Sequence, residues 1–147
     1  MDIRFAQPGD IPGIISLLLQ VGQVHHIGRP DIFRQGAQKY NEAQVEAMLG
    51  DPENPIFVAV QEGAVLGYGF CFLKKYENDT VIADHRELYI DDLCVDENCR
   101  GQHIGKHLYD RICAYARTLN CSSVTLNVWC CNENAMGFYK SLGMQPQ

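Results

Sequence analysis

Three groups of residues in this 147-residue chain have types and spacings suited to chemistry. The first is Arg100-Gly-Gln-His103-Ile-Gly105-Lys106, which precedes a helical pattern. The first N–H groups of a helix have no acceptor within it, and its dipole adds about half a positive charge at that end. Gly101 and Gly105 remove side-chain bulk, and Arg100 and Lys106 add charge, so the segment suits a phosphate or pyrophosphate. The second group is acidic: Glu87, Asp91 and Asp92 lie on one extended stretch and are candidates for moving a proton. The third is Asn132 through Gly143, where Asn132 caps a helix and Tyr139 offers a phenol beside Phe138.

The loop spacing fits neither common nucleotide motif. Gly101 and Gly105-Lys106 are too close for a Walker-type loop, His107 replaces its hydroxyl, and Gly-x-Gly-x-x-Gly is absent. The segment resembles the acyl-CoA-binding motif of the GNAT N-acetyltransferases, Arg/Gln-x-x-Gly-x-Gly/Ala, and the preceding Asp92-Leu-Cys-Val-Asp96 is similar to the strand that leads into it. Asn132-Glu-Asn-Ala-Met-Gly-Phe-Tyr139-Lys-Ser-Leu-Gly143 resembles a second signature of that family, Asn-x-x-Ala-x-x-Phe-Tyr-x-x-x-Gly. One position departs. His103 stands where the family usually has glycine, so either the backbone there keeps ordinary helical angles with the imidazole turned away, or the imidazole donates to a phosphate.

The resemblance implies an enzyme that moves an acetyl group from acetyl-CoA to a primary amine by direct attack in a ternary complex. Arg100, Gly101, Gln102, His103, Ile104, Gly105 and Lys106 would hold the pyrophosphate, while Leu93, Cys94, Val95 and Asn132 would hold the pantetheine arm. Tyr139 would be the acid that protonates the leaving thiolate. Asp91 would relay the amine proton; a β-bulge would exchange Asp91 for Asp92, and Glu87 is a third choice. His26, Arg29 and Phe33 would wall the acceptor site, which takes a small-molecule or peptide amine. An acyl-cysteine on Cys94 is less simple than direct attack. A non-catalytic acyl-CoA-binding or regulatory module is the competing reading, with Tyr139 and the acidic strand against it.

These groups need elements to position them. Ile3 to Phe5 reads as a strand, and Asp10 as the cap of a helix from Ile11 to about Val21. Val24 to Phe33, with His25, His26 and Pro30, reads as a loop. A second helix spans about Asn41 to Leu49. Pro55 to Gln61 and Val65 to Lys74 form a hairpin around Glu62-Gly63-Ala64, and Arg86 to Val95 is a third antiparallel strand. Strict alternation puts Tyr89, Asp91 and Leu93 on one face, with Ile90, Asp92 and Cys94 on the other. Ile104, Leu108, Ile112, Tyr115 and Leu119 form one apolar helix stripe. Ser123 to Trp129 is a strand, with Trp129 expected in the core, and Glu133 to Leu142 is the last helix, stopped by Gly143.

The expected architecture is therefore an α/β (α+β) GNAT fold: one domain over residues 1–147, a mixed, mostly antiparallel sheet with splayed central strands, and helices on both faces. Relatives usually continue past Gly143-Met144 with further strands. Here Met144 to Gln147 remain, which implies a shortened strand, an edge covered by a partner, or a truncated chain. A homodimer is expected by family analogy.

Composition narrows the classes. Hydrophobic residues make up 46% and charged residues 20%, as in an ordinary globular domain. A net charge of −6 argues against a general nucleic-acid binder. No apolar run approaches the ~20 residues that span a bilayer, and Met1-Asp-Ile-Arg4 has no signal-peptide character. The seven cysteines include no Cys-x-x-Cys pair, which argues against a metal site and for a reducing cytoplasm.

Overall fold

A computed structural model describes residues 1–28, 31, 34, 39–99, 101–127 and 133–145; of residues 24–26, 28, 133 and 134 it describes the backbone alone. Among the described residues five strands, β1 (Asp2–Phe5), β2 (Ile56–Gln61), β3 (Ala64–Tyr76), β4 (His85–Val95) and β5 (Ser123–Leu126), lie side by side in chain order. The pairs β1–β2, β2–β3 and β3–β4 are antiparallel, while β4–β5 is parallel. The parallel pair is the one that needs a crossover, and α3 (Ile104–Thr118) supplies it. The other helices are α1 (Ile11–Gly28), α2 (Glu42–Met48) and α4 (Glu133–Ser141).

Each face of the sheet has its own core. Ile14, Leu17 and Leu18 of α1 and Val45 of α2 pack on Ile56, Val58, Tyr68, Phe70 and Cys94. Ile104, Leu108, Ile112 and Ala116 of α3 pack on Phe57, Ala59, Cys71, Leu88 and Ile90. Of the expected stripe, Ile104, Leu108 and Ile112 are buried and Tyr115 packs against the same core; Ala116 joins them, Leu119 is half-buried at the helix end, and the helix lies close on the sheet. That closeness depends on two glycines of β3. A Cβ at Gly67 would lie 3.0 Å from Leu108 Cδ1, and one at Gly69 would lie 2.9 Å from Ile112 Cδ1.

Two sequence expectations are corrected. First, α1 continues to Gly28 instead of giving way to a loop at Val24. Histidine is only moderately unfavourable in a helix, and the true breakers are Gly28 and Pro30. Second, Asp10 does not begin α1 as its cap. It closes a 3₁₀ turn, Pro8–Asp10, where its carboxylate accepts from Gln7 N at 2.8 Å and from Arg4 Nη1 at 2.7 Å. Asn41 does cap α2: its Oδ1 accepts from Gln44 N at 2.8 Å, and Gln44 Oε1 accepts in return from Asn41 N at 2.9 Å. Gly143, at φ +91°, follows α4 and lets the chain turn away.

Candidate active site

At the start of α3 the first intrahelical bond runs from His107 N to the carbonyl of His103, at 3.0 Å. The N–H groups of Ile104, Gly105 and Lys106 therefore precede the helical ladder and face outward from its end. Gly101 has φ +87°, and nothing lies within 4 Å of the place a Cβ would take. Gln102 and His103 are exposed. Lys106 Nζ is 2.9 Å from Asp110 Oδ2 in an exposed pair one turn along the helix. Such a pair contributes about 0.3–0.5 kcal/mol and can open toward an anion.

His103 does not keep ordinary helical angles. Its φ of +58° and ψ of +24° are left-handed, a conformation that glycine adopts without steric cost. The turn thus keeps the shape a glycine would give it, and the imidazole is tolerated in the left-handed region. Gly105 has a different use from the open approach expected of it. A Cβ there would lie 2.9 Å from Cζ of Phe138 and 3.6 Å from Val95 Cγ2, so its missing side chain seats α4 against α3 and β4.

The acidic strand is shaped by a bulge. The β3–β4 register runs Phe70↔Asp92 and then Cys71↔Ile90, which leaves Asp91 without a partner residue on β3. Strict alternation fails there. Ile90 and Leu93 belong to the α3 side, whereas Cys94 belongs to the α1 side. Both carboxylates address the α1 side. Asp92 Oδ2 accepts from the Tyr68 hydroxyl at 2.8 Å, and Asp91 Oδ2 accepts from the Tyr40 hydroxyl at 2.5 Å. The Tyr40 ring packs on Phe70 with centroids 5.0 Å apart. Lys39 Nζ lies 3.1 Å from Asp91 Oδ1 and donates to the Asp91 carbonyl at 3.2 Å. Burial and the Asp91 carboxylate push the Tyr40 phenol well above its ordinary range.

The β4–β5 pairing runs from Glu87↔Ser123 to Ile90↔Leu126, whereas β3 stays paired with β4 as far as Val95. Leu93, Cys94 and Val95 lie past the last β4–β5 pair among the described residues. Cys94 is buried, with Sγ 3.8 Å from the Val95 carbonyl. Tyr139 of α4 is brought to the same place. Its phenol is pushed up to about 12 by burial and by the negative fields of Asp92 and Cys94. Asp92, Tyr68 and Cys94 lie together at the end of β4, and Asp92 and Cys94 act on the Tyr139 phenol. Glu87 lies elsewhere on β4, lining with Tyr89 and Tyr139 a groove of about 1020 Å³ along β5 and α4.

The structure gathers Asp91, Asp92, Leu93, Cys94, Val95, Tyr139 and the start of α3 around one end of β4. The side chain of His26 and residues Arg29, Phe33, Arg100, Trp129 and Asn132 lie outside the described residues. Sequence reasoning missed Lys39, Tyr40 and Tyr68. Tyr68 lies opposite Cys94 in the β3–β4 register, which no pattern along either strand announces. Lys39 and Tyr40 sit 52 and 51 positions from Asp91, and no local pattern announces them. Among the described residues no cluster of metal-ligating side chains is present, and no helix is long and apolar enough to cross a membrane.

A strand end beside an outward-facing helix start and a buried phenol can hold a long phosphorylated thioester with its reactive end at the phenol. Comparison with known proteins points the same way. A sequence model of the acetyltransferase (GNAT) family matches residues 23–144. The chain is similar to thialysine N-epsilon-acetyltransferase of Bos taurus, 28% identical over 97% of this chain and 83% of the relative. It is also similar to the protein of that name from Mus musculus, 31% identical with 97% and 83% covered. Among solved structures, a tetramutant of the BH1408 protein from Bacillus halodurans superposes with a TM-score of 0.93 at 32% identity, covering 100% of this chain and 95% of that one.

Proposed function

This chain belongs to the GNAT acetyltransferase family and is an acetyl-transferring enzyme, and from that premise we propose that it acetylates a small primary amine by direct attack in a ternary complex. The observation that carries the proposal is the buried phenol of Tyr139, held within the influence of Asp92 and Cys94 of β4. The residues 1–147 act as one catalytic domain. The relatives named for thialysine make an amine on a flexible aliphatic chain the first acceptor to test.

Acetyl-CoA, when bound, supplies the activated thioester carbonyl. The open turn at Gly101, the left-handed His103 and the N–H groups of Ile104, Gly105 and Lys106 fit its pyrophosphate, together with Arg100 and Gln102. The β4 backbone from Leu93 to Val95 fits the pantetheine amides, with Asn132 as a further partner. Tyr139 is protonated at neutral pH, as any phenol with an ordinary or raised value is, and it stands as the donor of a proton to the departing sulfur. Asp91 takes the amine proton, directly or through water, and Tyr40 presets its carboxylate by holding Oδ2. An alkyl amine with a pKa near ~10 is mostly protonated at neutral pH, so the reaction needs such an acceptor for its proton. His26, Arg29 and Phe33 contribute to the wall of the acceptor site.

The alternative, a module that binds acyl-CoA without turnover, rested on His103 in place of glycine. Against it stand the turn at His103, whose left-handed backbone keeps the shape a glycine would give it, and the presence of Tyr139 and the acidic strand. The test is calorimetric titration with acetyl-CoA and CoA, followed by thiol release with thialysine, lysine and simple diamines. Saturable binding near one per chain with amine-dependent thiol release supports the proposal. Binding without thiol release for any amine would favour the binding module.

A further inference from the structure

The Asp91 carboxylate is 14% exposed, yet the ammonium-bearing side chain of Lys39 that it binds is 48% exposed. The arrangement is a small cation site. Because the bulge leaves Asp91 over, its carbonyl and its Oδ1 both point at Lys39 Nζ, at 3.2 and 3.1 Å. The other carboxylate oxygen is held by Tyr40 at 2.5 Å, so the group cannot turn to follow Lys39 outward. Asp92, the next residue, carries a second carboxylate toward the same face and engages Tyr68. Asp91 with its main-chain carbonyl thus offers a primary ammonium two oxygens in a preset geometry, and the ammonium occupying it belongs to a flexible, half-exposed chain. A half-exposed ion pair is weak enough for a ligand to displace.

The acceptor of an amine acetyltransferase presents the same chemical group, a primary alkylammonium. We infer that Lys39 is an internal competitor at Asp91, displaced when the acceptor's ammonium binds, and that it therefore sets which acceptors enter. The inference rests on the reading above in that Asp91 faces the acceptor. An amine that reaches both the Asp91 carbonyl and Oδ1 replaces Lys39 with nothing lost at the site, whereas a short or bulky amine leaves Lys39 in place. Lys39 is then a specificity-determining residue and not part of the chemical step. Its removal strengthens acceptor binding without slowing transfer.

The experiment uses the full chain saturated with CoA and 1,5-diaminopentane as the titrant in a calorimeter. KM and kcat are measured in parallel with acetyl-CoA for any amine that supports thiol release. Lys39→Met keeps the aliphatic stem and removes the charge. It is expected to tighten diamine binding by about two- to five-fold, the range an exposed ion pair represents, and to lower KM comparably with kcat within about two-fold of the wild-type. Lys39→Arg keeps a competitor in place and is expected not to tighten binding. In an Asp91→Asn background, adding Lys39→Met is expected to change nothing. Weaker or unchanged diamine binding in Lys39→Met, or equal tightening in the Asp91→Asn background, would overturn the inference. Failure of the enzymatic reading shows itself differently, as absent thiol release with every amine while the Lys39 effect on diamine binding persists.

Discussion

The ring of Phe138 fills the place where a side chain at Gly105 would stand: a Cβ built there lies 2.9 Å from Cζ of the ring. This contact joins the two signature segments, the first turn of α3 and the middle of α4, next to Tyr139. Gly105→Ala is expected to destabilise the fold by about 1–3 kcal/mol, as overpacking of a well-filled site does. Phe138→Leu in the same chain should recover part of that loss. A double-mutant cycle by denaturant unfolding reads the coupling directly; purely additive losses would show that the two residues do not share this space.

Tyr139 is the residue expected to separate chemistry from binding. Tyr139→Phe removes the proton donor and keeps the ring, so kcat should fall by about 100-fold or more while acetyl-CoA affinity stays near the wild-type value. Because the phenol is pushed up to about 12, the alkaline limb of the kcat profile should not appear near the ordinary tyrosine value of about 10. Steady-state kinetics from pH 6 to about 10.5, with calorimetry for the cofactor, check both statements.

The left-handed backbone of His103 reverses the usual ranking of alanine and glycine. In a helical or extended backbone, His103→Ala would be the more stable variant. At φ +58° it should instead be less stable than His103→Gly by about 1 kcal/mol, since only glycine avoids the Cβ penalty. Urea unfolding of the two variants decides the matter.

Asp10 gives the fold a dependence on acid. Burial works against its charge, but the bidentate Arg4 guanidinium and the Gln7 N–H outweigh burial and hold the carboxyl below its ordinary value. A lowered folded-state pKa stabilises the protein above the unfolded value of about 3.9, and that stabilisation is lost as pH falls through the folded-state value. Asp10→Asn should therefore be less stable than the wild-type at pH 7, with the difference shrinking below about pH 4. Unfolding midpoints at pH 7 and pH 3 provide the comparison.

What the amino-acid sequence determined by itself is local. The apolar stripe of α3, the helix from about Asn41 to Leu49, the hairpin at Glu62-Gly63 and the spacing from Arg100 to Lys106 each express their physics within a few neighbouring residues. They were sufficient for the element order, the mixed sheet and the family. The tertiary structure decided the rest of the site. Whether Asp91 or Asp92 is the extra residue of the bulge depends on how β4 slides against Phe70 and Cys71 of β3, a hydrogen-bond register that alternation along one strand does not contain. Lys39 and Tyr40 reach Asp91 across more than fifty positions, and Gly105 is explained by a ring on α4. Side-chain periodicity is a property of one segment, whereas a site is made where segments meet, and that meeting is set by register and packing between them.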